Sequence, residues 1–174
     1  MDVEILNQKL SKIRLLVMDV DGTLTNATVY YSKNGEELKK FSIKDGMGIE
    51  LLRRGGLEAA ILTSESSPIV TARARKLQIQ HVIMGSRNKK KDIEELTEQL
   101  SLKLENVAYI GDDVNDIEPM KVVGISACPS DSNGYVRHIS DFVCERKGGD
   151  GAVRELIEKI LLSQNISIVL PESW

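Results

Sequence analysis

Six short apolar runs recur along this chain, each too brief for an independent helix, and amphipathic stretches fill the intervals between them. Short apolar runs bounded by turn residues read as strands buried on both faces. Strands alternating with helices close into a mainly parallel sheet covered on both sides. The strand candidates are Leu15–Val20, Leu57–Leu62, His81–Met84, Val107–Ile110, Gly124–Ala127 and Asp141–Cys144. The helix candidates are Gly46–Arg54, Pro68–Leu77, Lys89–Leu100, Asp116–Val122, Tyr135–Ile139 and Gly151–Leu162, with Pro68 suited to a first helical turn. The fold class that follows is α/β, a doubly wound mainly parallel sheet of the Rossmann-like kind. One segment breaks the alternation: Thr28–Ile43 carries two β-rich arms around Asn34-Gly35, a strong hairpin signal. Ahead of the first strand, Val3, Leu6, Leu10 and Ile13 fall at helical intervals.

A sheet of this kind needs a core, and 174 residues with 41% apolar content supply one without disulfides. The expectation is a single domain over residues 1–174, with the hairpin at 28–43 and an aperiodic tail at 163–174. No stretch reaches the roughly 18 consecutive apolar residues that cross a bilayer. The first residues, with Asp2 and Glu4, lack the basic start and apolar run of a secretory signal. A cytoplasmic address without membrane association is therefore expected. Cys128 and Cys144 stand far apart outside any metal-spaced cluster and read as buried thiols. A net charge of −3 argues against a nucleic-acid partner, whose phosphates call for basic residues. The runs Lys39-Lys40 and Lys89-Lys90-Lys91 read as solvated faces, with Lys89 excepted.

The exception rests on where the polar residues fall. Asp19, Asp21, Gly22 and Thr23 close the first apolar run, and Thr63 and Ser64 close the second. Lys89 opens a helix, and the fourth run leads into Gly111-Asp112-Asp113-Val114-Asn115-Asp116. Open α/β sheets bind ligands at the carboxyl ends of their strands, which is the rim these residues share. Each piece alone has a plainer reading, as a turn, a helix cap or a solvated charge. Four pieces at successive strand ends are hard to assemble by chance. Clustered carboxylates raise one another's pKa unless a cation sits among them, and hard oxygen ligands select Mg²⁺. With Lys89 and the Thr63 hydroxyl beside them, the set suits electrostatic stabilisation of a phosphoryl group.

The order Asp-x-Asp-Gly-Thr, Thr, Lys, Gly-Asp-Asp-x-x-Asp resembles the four motifs of the haloacid dehalogenase superfamily of phosphatases, from about Arg14 to Leu162. The resemblance implies that Asp19 is the nucleophile and that Asp21 is the acid and base, with Thr63 and Lys89 completing the catalytic set. It implies that Asp19, the backbone carbonyl of Asp21, and Asp112 hold Mg²⁺, with Asp113 and Asp116 supporting the metal shell and Lys89. Relatives commonly have glycine where this chain has Ser64. The 41 residues between Asp21 and Thr63 and the 25 between Thr63 and Lys89 leave no room for a cap domain.

Three stretches resemble the capless branch that acts on 2-keto-3-deoxy sugar acid phosphates, octulosonate 8-phosphate and nononate 9-phosphate. They are Lys44-Asp45-Gly46-Met47-Gly48, Asn106–Asp113 and Gly148–Glu155. That resemblance implies a small phosphorylated sugar acid as substrate and a homotetramer whose hairpins pack together. It also implies a C-terminal tail, ending Leu170-Pro171-Glu172-Ser173-Trp174, that reaches a neighbour's site. Candidate substrate contacts are Ser64, Glu65, Lys76, Asp45 and Gly46. Within the family, Glu and Lys at the positions of Glu65 and Lys76 go with the nine-carbon acid. Placed on one helix, the pair would lie roughly 16 Å apart, so that one of them serves an adjacent subunit. A phospho-accepting receiver domain and a catalytically silent scaffold of the same fold are the alternatives. The receiver is disfavoured because its Lys comes last in the chain, the silent scaffold because every motif acid is present.

Overall fold

The computed structural model describes residues 2–170, so the expectation for Pro171–Trp174 lies outside the described residues. A six-stranded parallel sheet organises the chain. Its strands are β1 (Leu15–Met18), β4 (Glu58–Leu62), β5 (His81–Ile83), β6 (Val107–Ile110), β7 (Ile125–Cys128) and β8 (Phe142–Val143). They lie in the order β5-β4-β1-β6-β7-β8. β2 (Thr25–Ser32) and β3 (Gly35–Phe41) form a separate antiparallel ribbon. The helices are α1 (Val3–Leu10), α2 (Ile43–Arg54), α3 (Pro68–Lys76), α4 (Lys89–Gln99), α5 (Ile117–Met120), α6 (Gly134–Ile139) and α7 (Ala152–Ser163).

The two-residue period of β1 divides the core. Leu16 and Met18 face α1, α2, α3 and α7, whereas Leu15 and Val17 face α4, α5 and α6. All four are buried, which is why the strand reads as a continuous apolar run. On the first face α7 buries Val153, Leu156, Ile157, Ile160 and Leu161 against α2. Close approach of the two helices requires Gly48, where a Cβ would stand 2.9 Å from Arg154 Cδ and 3.1 Å from its Cα. Asp45 locks the same joint, its carboxylate accepting from the backbone N–H of Gly151 and Arg154 at the start of α7.

α3 and α4 begin at the predicted residues, Pro68 and Lys89, each behind a capping side chain. Ser67 caps α3 ahead of Pro68, and Asn88 caps α4 by accepting from Lys91 N. α2 starts earlier than its apolar pattern indicates, at Ile43, because the Ser42 hydroxyl accepts from the amides of Lys44 and Asp45. α5 is shorter than expected, because Val114–Asp116 forms a tight turn that carries Asp116 inward instead of along a helix. The hairpin begins at Thr25 rather than Thr28, and its turn residues are Lys33 and Asn34, with Gly35 (φ +110°) following in the left-handed region. Of the tail described, Ile166, Ile168 and Leu170 pack against the core of their own chain. This is an alternation that the aperiodic reading missed.

The connection from β1 to β4 holds the hairpin and α2, and that from β4 to β5 holds α3. Among the described residues, no cap domain stands in either. The chain runs outward from β1 to β4 and β5, then returns to place β6 on the other side of β1. The resulting crevice, at the carboxyl ends of β1 and β6, is the topological switch point of a doubly wound sheet.

Candidate active site

β1 and β6 deliver their polar residues into this crevice side by side. Asp19 follows Met18 directly, and its N–H still donates to Ile110 O at 3.0 Å, so the nucleophile candidate stands on the last rung of the ladder. Its side chain is buried, and Lys89 Nζ donates to its Oδ1 at 2.8 Å. Lys89 sits in the first turn of α4 and donates equally to Asp116 Oδ1 at 2.6 Å. Asp116 is saturated. Its Oδ1 also accepts from the Tyr109 hydroxyl at 2.7 Å, and its Oδ2 accepts from the amides of Asp112 (2.9 Å) and Asp113 (3.2 Å). Asp116 therefore shapes the loop after β6 and leaves the outward-facing carboxylates to Asp19 and Asp112.

Two glycines make this packing possible. Gly22 has φ +91°, and a Cβ there would stand 2.0 Å from Asp112 Oδ2. At Gly111 a Cβ would meet the Asp116 carboxyl carbon at 2.3 Å. Opposite, Gly148 presses on the Asp21-Gly22 turn so closely that a Cβ would fall 1.8 Å from Gly22 O. Gly149 N donates to Thr23 O at 3.0 Å.

The electrostatics follow from burial. Desolvation, together with the charge of Asp116, pushes the Asp19 carboxyl up to about 7 against the pull of Lys89. Desolvation and then the charges of Asp19, Asp116 and Asp113 push Asp112 up to about 8. Burial works against the Lys89 ammonium, but the charges of Asp19 and Asp116 outweigh it and leave its pKa raised. Asp19, Asp112 and Asp116 each place a carboxylate oxygen within 4.8 Å of the others, the only such metal-compatible cluster among the described residues. An all-oxygen donor set with more acid than ammonium fits a hard divalent cation, and Asp19 and Asp112 have the lone pairs to hold it.

Thr63 follows β4 directly, its hydroxyl accepting from the Glu65 amide at 3.4 Å, and Ser64 accepts from Asn115 Nδ2 at 3.2 Å. A cleft of about 320 Å³ opens beside them, lined among others by Ser64, Arg87, Asn88, Lys89 and Asn115. A larger groove between α2 and α7 touches none of the motif residues.

Other sequence candidates fall elsewhere. Asp113 turns its exposed carboxylate to Val114 N rather than to Lys89, so Asp116 alone supports the lysine. Asp45 is buried in the joint between α2 and α7, and Gly46 faces Arg73 and Leu77; both belong to helix packing rather than to a substrate surface. Glu65 precedes the α3 cap, and Lys76 is the last residue of α3, so the two do not share one helix as supposed. Cys128 and Cys144 are buried free thiols, and burial pushes both pKa values up.

Two residues were missed. Tyr109 falls in the predicted strand Val107–Ile110 and carries no predicted role, although a buried hydroxyl in an apolar strand requires a partner and Asp116 supplies it. Lys39 was read as solvated, yet its side chain is 2% exposed and its ammonium lies 2.5 Å from Asp21 Oδ1. Alternation along β3 puts Lys39 on the face of the half-buried Phe41, a signal that was available.

A family model of haloacid dehalogenase-like hydrolases matches residues 59–156. The 3-deoxy-D-manno-octulosonate 8-phosphate phosphatase of Escherichia coli strain K12 is 40% identical over 156 residues, covering 90% of this chain and 83% of that one. This chain belongs to the haloacid dehalogenase-like hydrolases. Among solved structures of that family, the Yersinia pestis phosphatase of the same name matches with a TM-score of 0.91 at 38% identity. The match covers 93% of this chain and 88% of that one. The Moraxella catarrhalis phosphatase, solved with magnesium, phosphate and KDO, has a TM-score of 0.91 at 37% identity, covering 94% of each chain. Membership in this hydrolase family removes the receiver-domain reading. It agrees with the resemblance carried by the four motifs.

Proposed function

We propose that this hydrolase is a Mg²⁺-dependent phosphatase of a 2-keto-3-deoxy sugar acid phosphate, with 3-deoxy-D-manno-octulosonate 8-phosphate as the first substrate to test. The observation that carries the chemistry is the placement of Asp19 at the switch point, with one carboxylate oxygen held by Lys89 and Asp112 across the crevice. The substrate class is supported by the names of relatives at 37–40% identity over most of the chain.

The free oxygen of Asp19 attacks phosphorus, and the bond from phosphorus to the substrate's alkoxide oxygen breaks. Asp21 gives that alkoxide its proton, because an alcohol leaves poorly as an anion. Water then attacks the aspartyl phosphate and passes a proton back to Asp21, releasing phosphate and restoring Asp19. Lys89 holds the nucleophile's rotamer and meets the phosphoryl charge in a site that excludes most solvent. The divalent ion, when bound, offsets the repulsion between the acids and an arriving phosphate.

The test is phosphate release from a panel of sugar phosphates with Mg²⁺ and with chelator, using wild type and Asp19→Asn. Turnover should require the metal and vanish in the variant, while circular dichroism stays unchanged. Activity of Asp19→Asn within tenfold of wild type, about 1.4 kcal/mol of barrier, would remove Asp19 from this role. A second reading, nononate 9-phosphate, draws its support from Glu65 and Lys76, the pair that within the family goes with the nine-carbon acid. The ratio of kcat/KM for the two acids decides between them.

The same proposal includes a cytoplasmic homotetramer. Tyr30, Tyr31 and Leu38 leave the hairpin with large apolar side chains exposed, and a two-stranded ribbon alone is marginally stable in water, so a contact between copies of the chain would cover them.

A further inference from the structure

Lys39 belongs to no motif of the reaction, yet it is the least exposed ammonium on the hairpin and lies between two carboxylates. Its Nζ is 2.5 Å from Asp21 Oδ1 and 2.9 Å from Glu36 Oε1. The other oxygen of Glu36 accepts from the Ser67 hydroxyl at 2.5 Å, and Ser67 caps α3 through Ile69 N. An unbroken line of polar contacts thus runs from the turn after β1, through β3, to the helix that follows β4. The foot of the hairpin is tied to the same helix, since Arg73 stacks over the Phe41 ring at 5.4 Å and donates to Ser42 O at 2.8 Å.

Asp21 needs such a tie. Its side chain is 29% exposed and stands in a turn rather than a strand. Unlike Asp19 and Asp116, its carboxylate has no contact to Lys89 or to a backbone amide among the described hydrogen bonds. Left free, it would sample several rotamers, and an acid displaced by about 1 Å can slow a reaction by about 10²-fold.

We infer that Lys39 is a positioning residue that holds Oδ1 of the Asp21 carboxyl group and so aims Oδ2, the oxygen that carries the proton, at the leaving alkoxide, with Glu36 and Ser67 orienting Lys39 in turn. The hairpin then serves catalysis within its own chain, in addition to any contact it makes between chains. The inference rests on the reading of Asp21 as the general acid.

The two stand or fall separately in one experiment. kcat/KM would be measured with 3-deoxy-D-manno-octulosonate 8-phosphate, which releases an alkoxide, and with p-nitrophenyl phosphate, whose leaving group departs without a proton. The enzymes would be wild type, Lys39→Met, Lys39→Arg and Glu36→Gln. General-acid assistance typically contributes at least 10²-fold, so Lys39→Met should lose about a hundredfold on the sugar phosphate and less than about threefold on the aryl ester. Lys39→Arg should recover much of the loss. Glu36→Gln should show the same selectivity with a smaller loss, and it decides the matter if Lys39→Met fails to fold. Equal losses on both esters would reduce Lys39 to a structural role and overturn the inference. A wild-type enzyme that hydrolyses neither ester would instead overturn the proposed function.

Discussion

The rim at β1 and β6 and the hairpin at β2 and β3 both present charged residues to the same crevice, but they are held by opposite means. At the rim Asp19, Lys89 and Asp116 are buried and partnered: Asp116 accepts four hydrogen bonds, and Lys89 bridges two acids. On the hairpin the ribbon stands outside the main sheet with Tyr31 73% exposed, and one half-buried ion pair, Lys39 with Asp21, ties it to the site. The rim is fixed by the core behind it, whereas the hairpin is fixed by docking. Perturbations should therefore cost fold stability at the rim, and assembly or selectivity at the hairpin.

The largest expected effect comes from breaking the rim's hub. Asp116→Ala leaves the Tyr109 hydroxyl and two amides without their acceptor and should lower unfolding free energy by about 3 kcal/mol or more in urea titrations. A change below about 1 kcal/mol would mean that water replaces the carboxylate and that the hub is not structural.

The next effect concerns pH. Asp19 and Asp112 have folded pKa values of about 7 and about 8 against an ordinary 3.8. Between these limits the folded protein keeps protons that the unfolded chain has released, so stability is greatest below pH 4 for these groups and falls as pH rises towards 8. Glu36 and Glu118 are lowered and contribute in the opposite sense, but they are fully ionised well below neutrality. The metal-free protein should therefore melt lower at pH 8 than at pH 6, and millimolar Mg²⁺ should narrow the gap. Equal melting temperatures with and without the ion would argue against the acid cluster as a cation site.

The smallest effect on stability, and the clearest on assembly, belongs to the hairpin. Tyr31→Glu should change the unfolding free energy of the subunit by no more than about 0.5 kcal/mol, because the side chain is exposed. It should lower the mass measured by light scattering. A wild type already monomeric at micromolar concentration would refute the tetramer and leave the rim's chemistry untouched.

The same contrast explains what could be read from the sequence. The six strands and the order of the motif residues were legible because a doubly covered parallel sheet imprints apolar runs on the chain and places its polar residues at their ends. Asp19, Lys89 and Asp112 come together for that reason. Asp45 was misread because an acid in a helix resembles a ligand contact until α7, more than a hundred residues later, is seen to take both its oxygens. Lys39 was misread because its burial depends on how a ribbon folds back on the sheet, which two-residue periodicity only hints at. Asp113 and Asp116 are three apart in one acidic turn, and composition alone does not say which turns inward; the tight turn at Val114–Asp116 decides it.

The contact of Gly148 with Gly22 also bears on the order in which the protein comes into being. The turn carrying Asp21 is closed by residues about 125 positions further along, and no earlier segment fills that place. A nascent chain that has released β1 to β6 holds the nucleophile and its lysine, but lacks the brace that shapes the acid-bearing turn. The catalytic crevice is thus completed only once Gly148-Gly149 and α7 have been made and dock, so that competence for turnover follows these long-range contacts rather than the first paired strands.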